Sequence, residues 1–253
     1  MKRMIRKILI LLCPAIGVSV FHGCSSDENR WIAYEESTYE ITVDSETVPY
    51  AVFTPSTYEH GRGTPLILAL HYSGSVSDSI GVEFLRNFVE PALGSLEAIM
   101  VAPKSIDGSH WTIDSNERLI LALLDTIRTS YSIHPERILV LGYSMGATGA
   151  WHFIAHYPDL FSAAIPISGM PDPRDPPLIN DQKILVIHSR DDEQFPLSWV
   201  EEIVETLQLR DVPIILEIVE GLGHGDMDGF IDPLSQTIPW IRLSWGLDPR
   251  GSF

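Results

Sequence analysis

The residues with the clearest capacity for chemistry are Gly142-Tyr143-Ser144-Met145-Gly146, a serine framed by glycines in the pattern Gly-x-Ser-x-Gly. A serine hydroxyl is a weak nucleophile until a neighbouring base takes its proton. The pattern serves that purpose when it occupies a sharp strand-to-helix turn, which lifts the hydroxyl above the end of a sheet. Its flanks fit. Arg137-Ile138-Leu139-Val140-Leu141 is apolar and partly β-branched, which predicts a buried strand. Ala147 to His156 contains no proline and one glycine, which predicts a helix. Gly142 and Gly146 leave room for backbone passing close to the turn. The first amides of the helix then point at the space above Ser144.

A base and an acid must complete such a site. In the chain order that accompanies this turn, the nucleophile comes first, then the acid, then a histidine. Only His224 follows the apolar run Lys183 to His188. It sits in Glu220-Gly221-Leu222-Gly223-His224-Gly225, after the last strand-like run, where an imidazole can reach back over the sheet. As a loop residue it is expected to make few core contacts, so that its removal leaves stability little changed. The acid should follow the 183–188 run, and Asp191, Asp192 and Glu193 all stand there. Its role would be to fix the imidazole tautomer and stabilise the imidazolium formed during attack. Negative charge developing on the attacked carbonyl needs two backbone N–H donors. One belongs to Met145, and the other to the loop His71-Tyr72-Ser73-Gly74.

The elements that must position these residues alternate along the chain. Residues 40–44 and 48–55 predict an antiparallel hairpin at a sheet edge. Pro65 to Leu70 is a continuous apolar run, as in a strand buried on both faces. A helix is expected over about 80–93, interrupted at Pro91, then a strand at 98–102. Leu119, Ile120, Leu123, Leu124 and Ile127 form a helical stripe within 116–131. After the serine come a strand at 163–168, a proline-rich loop at 169–177, the 183–188 strand, a helix at 197–209, a strand at 213–219 and a helix over 231–245 interrupted near Pro239. This alternation predicts an α/β fold whose central sheet is mostly parallel, with an antiparallel N-terminal edge and helices on both faces. Ligands in such sheets bind at the carboxyl ends of the strands.

From about residue 48 to 245 the chain resembles the α/β-hydrolase serine esterases. It is most similar to the exported branch of feruloyl- and acetyl-esterases, polyhydroxyalkanoate depolymerases and "predicted peptidases". The resemblance is carried by Pro65 to Gly74, the loop around Trp111, Arg137 to Trp151, and Tyr157 to Ala164. His188-Ser189-Arg190-Asp191-Asp192-Glu193-Gln194-Phe195-Pro196 resembles the family's H-G-x-x-D-x-x-V-P exit loop, which implies Asp192 as the acid. His71-Tyr72-Ser73-Gly74 resembles its H-G-x-x loop, which implies the N–H of Ser73 as the second oxyanion donor. Tyr72 stands where glycine is usual and is a rival donor, because tyrosine resists positive φ. Trp111 lies in a loop on the site side, where it either lines the substrate pocket or seals the edge of the core. The implied activity is hydrolysis of carboxylic esters through an acyl-enzyme, with no cofactor and no metal. The substrate would be a small-molecule or polysaccharide-linked ester. Serine peptidase activity on the same fold, or a non-catalytic binding protein on a hydrolase scaffold, are the alternatives.

The N-terminus belongs to targeting rather than to the fold. Lys2, Arg3, Arg6 and Lys7 precede the apolar stretch Ile8 to Val20, which is too short to span a bilayer comfortably. Gly23-Cys24 then resembles a bacterial lipoprotein signal. Residues 1–23 would be removed, Cys24 lipidated, residues 24–38 left as a tether, and 39–250 folded as one catalytic domain. Expected localisation is the cell envelope, anchored by lipid on the outer-membrane or periplasmic side. Beyond residue 23 the chain carries 13 Lys and Arg against 34 Asp and Glu. Such a surface repels phosphate backbones, which excludes nucleic acid as a partner. No cysteine follows Cys24, so disulfides and thiolate zinc sites within the domain are excluded as well.

Overall fold

Runs of apolar residues too hydrophobic to face water on either side dominate the middle of the chain, and they pair into one sheet. A computed structural model describes residues 32–74 and 77–251. The proposed leader, the lipidation site Cys24 and most of the tether lie outside the described residues. The strands are β1 (Tyr34–Val43), β2 (Glu46–Pro55), β3 (Thr64–Leu70), β4 (Ile99–Pro103), β5 (Ile133–Tyr143), β6 (Ala163–Ile167), β7 (Ile184–Ser189) and β8 (Ile214–Val219). They form an eight-stranded sheet in the order β1-β2-β4-β3-β5-β6-β7-β8. β1 and β2, and β2 and β4, pair antiparallel, and every other neighbour pair is parallel.

Helices cover both faces. They are α1 (Ile80–Phe84), α2 (Glu90–Leu93), α3 (Asp114–Ser130), α4 (Met145–His156), α5 (Leu197–Gln208), α6 (Ile231–Ser235) and α7 (Ile238–Ser244). The two-residue period of the strands divides the core. Leu66, Leu68 and Leu70 of β3 pack on one side with α3, α4 and α5, for example with Leu123, Trp151 and Val204. Ile67 and Ala69 pack on the other with Phe88, Leu234 and Trp245. At about 1.5–3 kcal/mol for each fully buried large apolar side chain, the doubly covered strands are the main source of stability.

Two expectations change. The tether does not extend to residue 38, because β1 begins at Tyr34 and runs in register with β2 from Tyr34 opposite Pro55. β1 is an edge strand exposed along much of its length, and its first part, with Glu35 and Glu36, carries no apolar alternation for a sequence to display. Its turn to β2 is tight, and Asp44 and Ser45 both take positive φ, as two-residue hairpin loops require. The helix over 80–93 is also not broken at Pro91. A π-helical turn at Leu85–Val89 joins α1 to α2, and the N–H of Glu90 bonds the carbonyl of Leu85. A widened turn just before the proline absorbs the bond that its missing N–H cannot make. The expected interruption near Pro239 does occur, as the α6–α7 break.

Candidate active site

Ser144 lies between the last residue of β5 and the first of α4, with φ 54° and ψ −114°. A non-glycine residue held at such angles is strained, and the surroundings fix it. The N–H of Ser144 bonds the carbonyl of Ile167 at 2.9 Å. A Cβ on Gly146 would sit 1.8 Å from the carbonyl oxygen of Leu70, and one on Gly142 would sit 2.1 Å from the oxygen of Gly146. The glycines therefore allow α4 to start against the end of β3, beside the His71–Gly74 loop.

β7 and β8 deliver the remaining groups. Ser144 Oγ is 2.8 Å from His224 Nε2. His224 Nδ1 lies 3.1 and 3.0 Å from the two oxygens of Asp192. A carboxylate facing Nδ1 makes that nitrogen the donor, so Nε2 is left to accept the serine proton. Asp192 also accepts from Ser168 Oγ at 2.5 Å and from the N–H groups of Gln194 and Phe195 at 2.9 Å each. Burial alone would raise its carboxyl, but these bonds and the His224 ring outweigh it and hold the group below its ordinary value. All three residues are buried to within 7% of full exclusion, with Ser144 the most exposed of them.

Of the acidic run after β7 only Asp192 is buried, but the exposed Asp191 and Glu193 have partners too. Each of its members holds the His224 loop at a different point. Asp191 accepts from the N–H of Gly221 at 2.6 Å, Asp192 takes the imidazole, and Glu193 accepts from the N–H of His224 at 2.9 Å. The hydroxyl of Tyr143 donates to the carbonyl of His224. Burial, reinforced by Asp192, Asp226 and Glu193, raises the Tyr143 phenol and keeps it a donor. Neither Tyr143 nor Glu193 was singled out from the sequence for holding His224. A side chain that reaches a backbone group across the fold leaves no spacing signal, although both adjoin residues that were. The expectation that His224 makes few contacts is corrected too. Its ring stacks on Tyr143, with centroids 6.1 Å apart, and lies 5.3 Å from Phe195.

A cavity of about 590 Å³ opens over the serine, lined by Tyr72, Ser73, Tyr143, Ser144, Gln194, His224 and the segment Gly225–Gly229. Tyr72 and Ser73 thus both reach its wall. Tyr72 keeps negative φ, and the positive value falls on Gly74, at +137°. Met145 opens α4, where the first amides have no intrahelical acceptor.

Trp111 does not line this cavity. It is fully buried, donates from Nε1 to the carbonyl of His71 at 2.9 Å, and packs its ring 5.0 Å from the His71 ring. A large apolar group with one donor is drawn into the core once that donor is satisfied. Its position is a support for the His71–Gly74 loop. His71 is likewise fully buried, with Nδ1 2.7 Å from the carbonyl of Tyr72 and Nε2 accepting from the N–H of Ser105 at 3.1 Å. Burial pushes this imidazole down to about 4, so it is neutral. His188 is also lowered by burial, and its Nε2 lies 2.7 Å from the carbonyl of Phe195, which steadies the Asp192 loop.

A family model described as "Putative esterase" matches residues 102–219. An "Uncharacterized secreted protein" of Arthroderma benhamiae is 30% identical over 133 residues, which cover 48% of this chain and 14% of that protein. The chain therefore spans a small part of that relative's length. Among solved structures, a thermostable esterase has a TM-score of 0.70 at 23% identity, covering 82% of this chain and 62% of the other. A ferulic acid esterase has a TM-score of 0.70 at 18% identity, covering 84% of this chain and 99% of the other. The fold is the α/β-hydrolase fold, and the chain resembles serine esterases built on it. No helix among the described residues is long and apolar enough to cross a membrane.

Proposed function

We propose that the protein is a serine hydrolase that cleaves carboxylic esters through an acyl-enzyme intermediate. The observation that carries this is the hydrogen-bonded line from Ser144 Oγ through His224 to Asp192, opening on a cavity. Ser144 Oγ attacks the ester carbonyl while its proton passes to His224 Nε2. Asp192 stabilises the imidazolium through Nδ1–H. The oxyanion is received by the N–H of Met145 and by that of Ser73, with Tyr72 as the rival for the second position. The alcohol departs with the proton from Nε2, and water, activated by the same base, releases the acid. No cofactor enters this scheme.

A small-molecule or polysaccharide-linked ester is the proposed substrate class. The aromatic walls Tyr72 and Tyr143, and the likeness to a ferulic acid esterase, support including aromatic acyl groups. A fluorophosphonate probe tests the chemistry. A covalent adduct on Ser144, absent in Ser144→Ala, is expected, and a folded protein that forms none defeats the proposal. A panel of p-nitrophenyl esters of graded length, with feruloyl and acetylated-xylan substrates, then ranks the acyl groups. Hydrolysis of peptides but of none of these esters would favour the peptidase alternative.

Export with lipidation at Cys24, placing the protein on the bacterial envelope, is proposed from the leader. The secreted relative supports export. Cys24→Ala should release the protein from membrane fractions, and retention would make the 8–20 stretch an uncleaved anchor.

A further inference from the structure

At the end of α4 opposite Ser144, a second group of titratable side chains converges that the ester chemistry does not use. His152 and His156 are one helical turn apart and share a face of α4. Their rings lie 4.3 Å apart, centroid to centroid. Both aim a nitrogen at the same oxygen of Asp175, which comes from the loop between β6 and β7. His152 Nδ1 is 3.7 Å from Asp175 Oδ1, and His156 Nε2 is 3.1 Å from it. One ligand atom from each of the three residues falls within 4.8 Å of the others.

Two further observations point to an ion between them. Asp175 is 1% exposed, and its Oδ2 is buried with no hydrogen-bond partner among the described residues. A buried carboxylate with one oxygen unpaired is costly, and a cation bound to the same carboxylate offsets part of that cost. The other nitrogen of His152, Nε2, lies 2.7 Å from Glu117 Oε2, and Glu117 Oε1 accepts from the hydroxyl of Tyr157 at 2.6 Å. A ligating imidazole that gives its second N–H to an anchored carboxylate is the usual outer support of a metal-bound histidine. The separations suit it as well. Ligands at 2.0–2.1 Å from a tetrahedral zinc ion stand about 3.3–3.4 Å from one another, between the two distances seen here.

We propose that His152, His156 and Asp175 bind a divalent transition-metal ion, zinc by the imidazole and carboxylate chemistry of the set, with Glu117 as the positioning residue. Two nitrogens and one oxygen leave a fourth position for water. The site is structural. Eight residues of helix, about 12 Å of rise, separate Ser144 from His152. What the ion joins is the C-terminal half of α4, the N-terminal turn of α3 behind it through Glu117, and the loop that leaves β6. That loop starts beside Ser168, whose hydroxyl holds Asp192. His156 is part-exposed, which gives an ion access from solvent.

The full chain, stripped of metal with a chelator and dialysed, is titrated with zinc chloride and separately with cobalt chloride. Binding of one ion per chain is expected, with visible cobalt bands of a tetrahedral nitrogen and oxygen site and a rise in melting temperature with zinc concentration. His156→Ala, a substitution at a part-exposed position that spares the core, should weaken binding more than about 100-fold, and Glu117→Ala by about 10–100-fold. Asp175→Asn should remove the cobalt bands. Absence of saturable binding overturns the proposal. So does zinc affinity unchanged in His156→Ala, because the ion would then sit elsewhere. Neither result depends on ester turnover.

Discussion

Acidification should weaken this protein through His71 before it protonates the buried carboxylate. Folded, the ring is enclosed beneath the oxyanion loop and titrates at about 4, against 6.5 when free. Burial is the main cause, opposed by the bond to the Tyr72 carbonyl and assisted by the charge on Lys104. Its Nε2 already accepts the N–H of Ser105, so a proton there would set two donors against each other. The unfolded chain binds that proton readily below 6.5 and the folded chain resists it down to about 4. The unfolded state therefore gains over this window as pH falls, and stability declines with it. Linkage over the shift gives a loss of about 2 kcal/mol by pH 5 and about 3 kcal/mol by pH 4, relative to pH 7. Asp192, lowered rather than raised in its titration, loses its contribution only at pH values beneath the ordinary carboxylate value of 3.8. Urea unfolding at pH 7, 5 and 4 on the wild type and on His71→Gln, which cannot titrate, isolates the residue. The variant should start less stable and lose about 3 kcal/mol less on acidification. Parallel stability curves for the two chains, or an NMR titration of His71 near 6.5 in the folded protein, would refute the reasoning.

Four substitutions probe the site itself. Asp192→Asn should reduce kcat by roughly 10⁴, as loss of the orienting carboxylate does in serine triads, whereas Asp191→Asn keeps an acceptor for Gly221 and should act far more weakly; the reverse ranking in ester assays would move the role to Asp191. His224→Ala should abolish turnover and also lower unfolding stability by about 1–3 kcal/mol, because it opens a gap beside Tyr143 and Phe195 and strips a partner from Asp192. Near-normal activity in that variant would sink the proposed base. Gly146→Ala should cut kcat by about 10²-fold or more, since a methyl group 1.8 Å from the Leu70 oxygen must push α4, with Met145, away from the loop opposite; full activity would mean that the close approach does not position the oxyanion donors.

What the sequence disclosed and what it withheld divides along physical lines. β3, β7 and the second half of β5 were legible because chain buried on both faces of a sheet must be apolar throughout, whereas the partly exposed start of β5, with His134, Pro135 and Glu136, carried no such mark. Ser144 and His224 could be named as candidates because a strand-to-helix turn and a glycine-rich strand-exit loop leave local marks, whereas the run after β7 left Asp191, Asp192 and Glu193 open until the resemblance of the exit loop pointed to Asp192. β1 was missed at its start because an edge strand with few buried positions is chemically indistinguishable from a tether. Trp111 stayed undecided between pocket and core because whether a loop indole turns inward depends on a carbonyl, that of His71, 40 residues away. The turn before Pro91 and the grip of Tyr143 and Glu193 on His224 are set by backbone geometry, which residue spacing does not encode. The meeting of His152, His156 and Asp175 left no mark in the sequence, because Asp175 reaches the two histidines only through the path of the 168–183 loop.

The lining of the cavity has a consequence for turnover. An ester arrives uncharged, whereas the acid it yields ionises near pH 4 and is an anion at neutral pH. That anion is born beside Asp226 and Asp228, on a chain whose net charge is −17. Asp226 and Asp228 are solvent-exposed, and like charges about 4 Å apart repel by roughly 1 kcal/mol in water. Hydrolysis therefore converts a tolerated guest into a repelled one, which favours departure of the acid. Inhibition by added carboxylate product should be weak at low ionic strength and should grow as salt screens the repulsion.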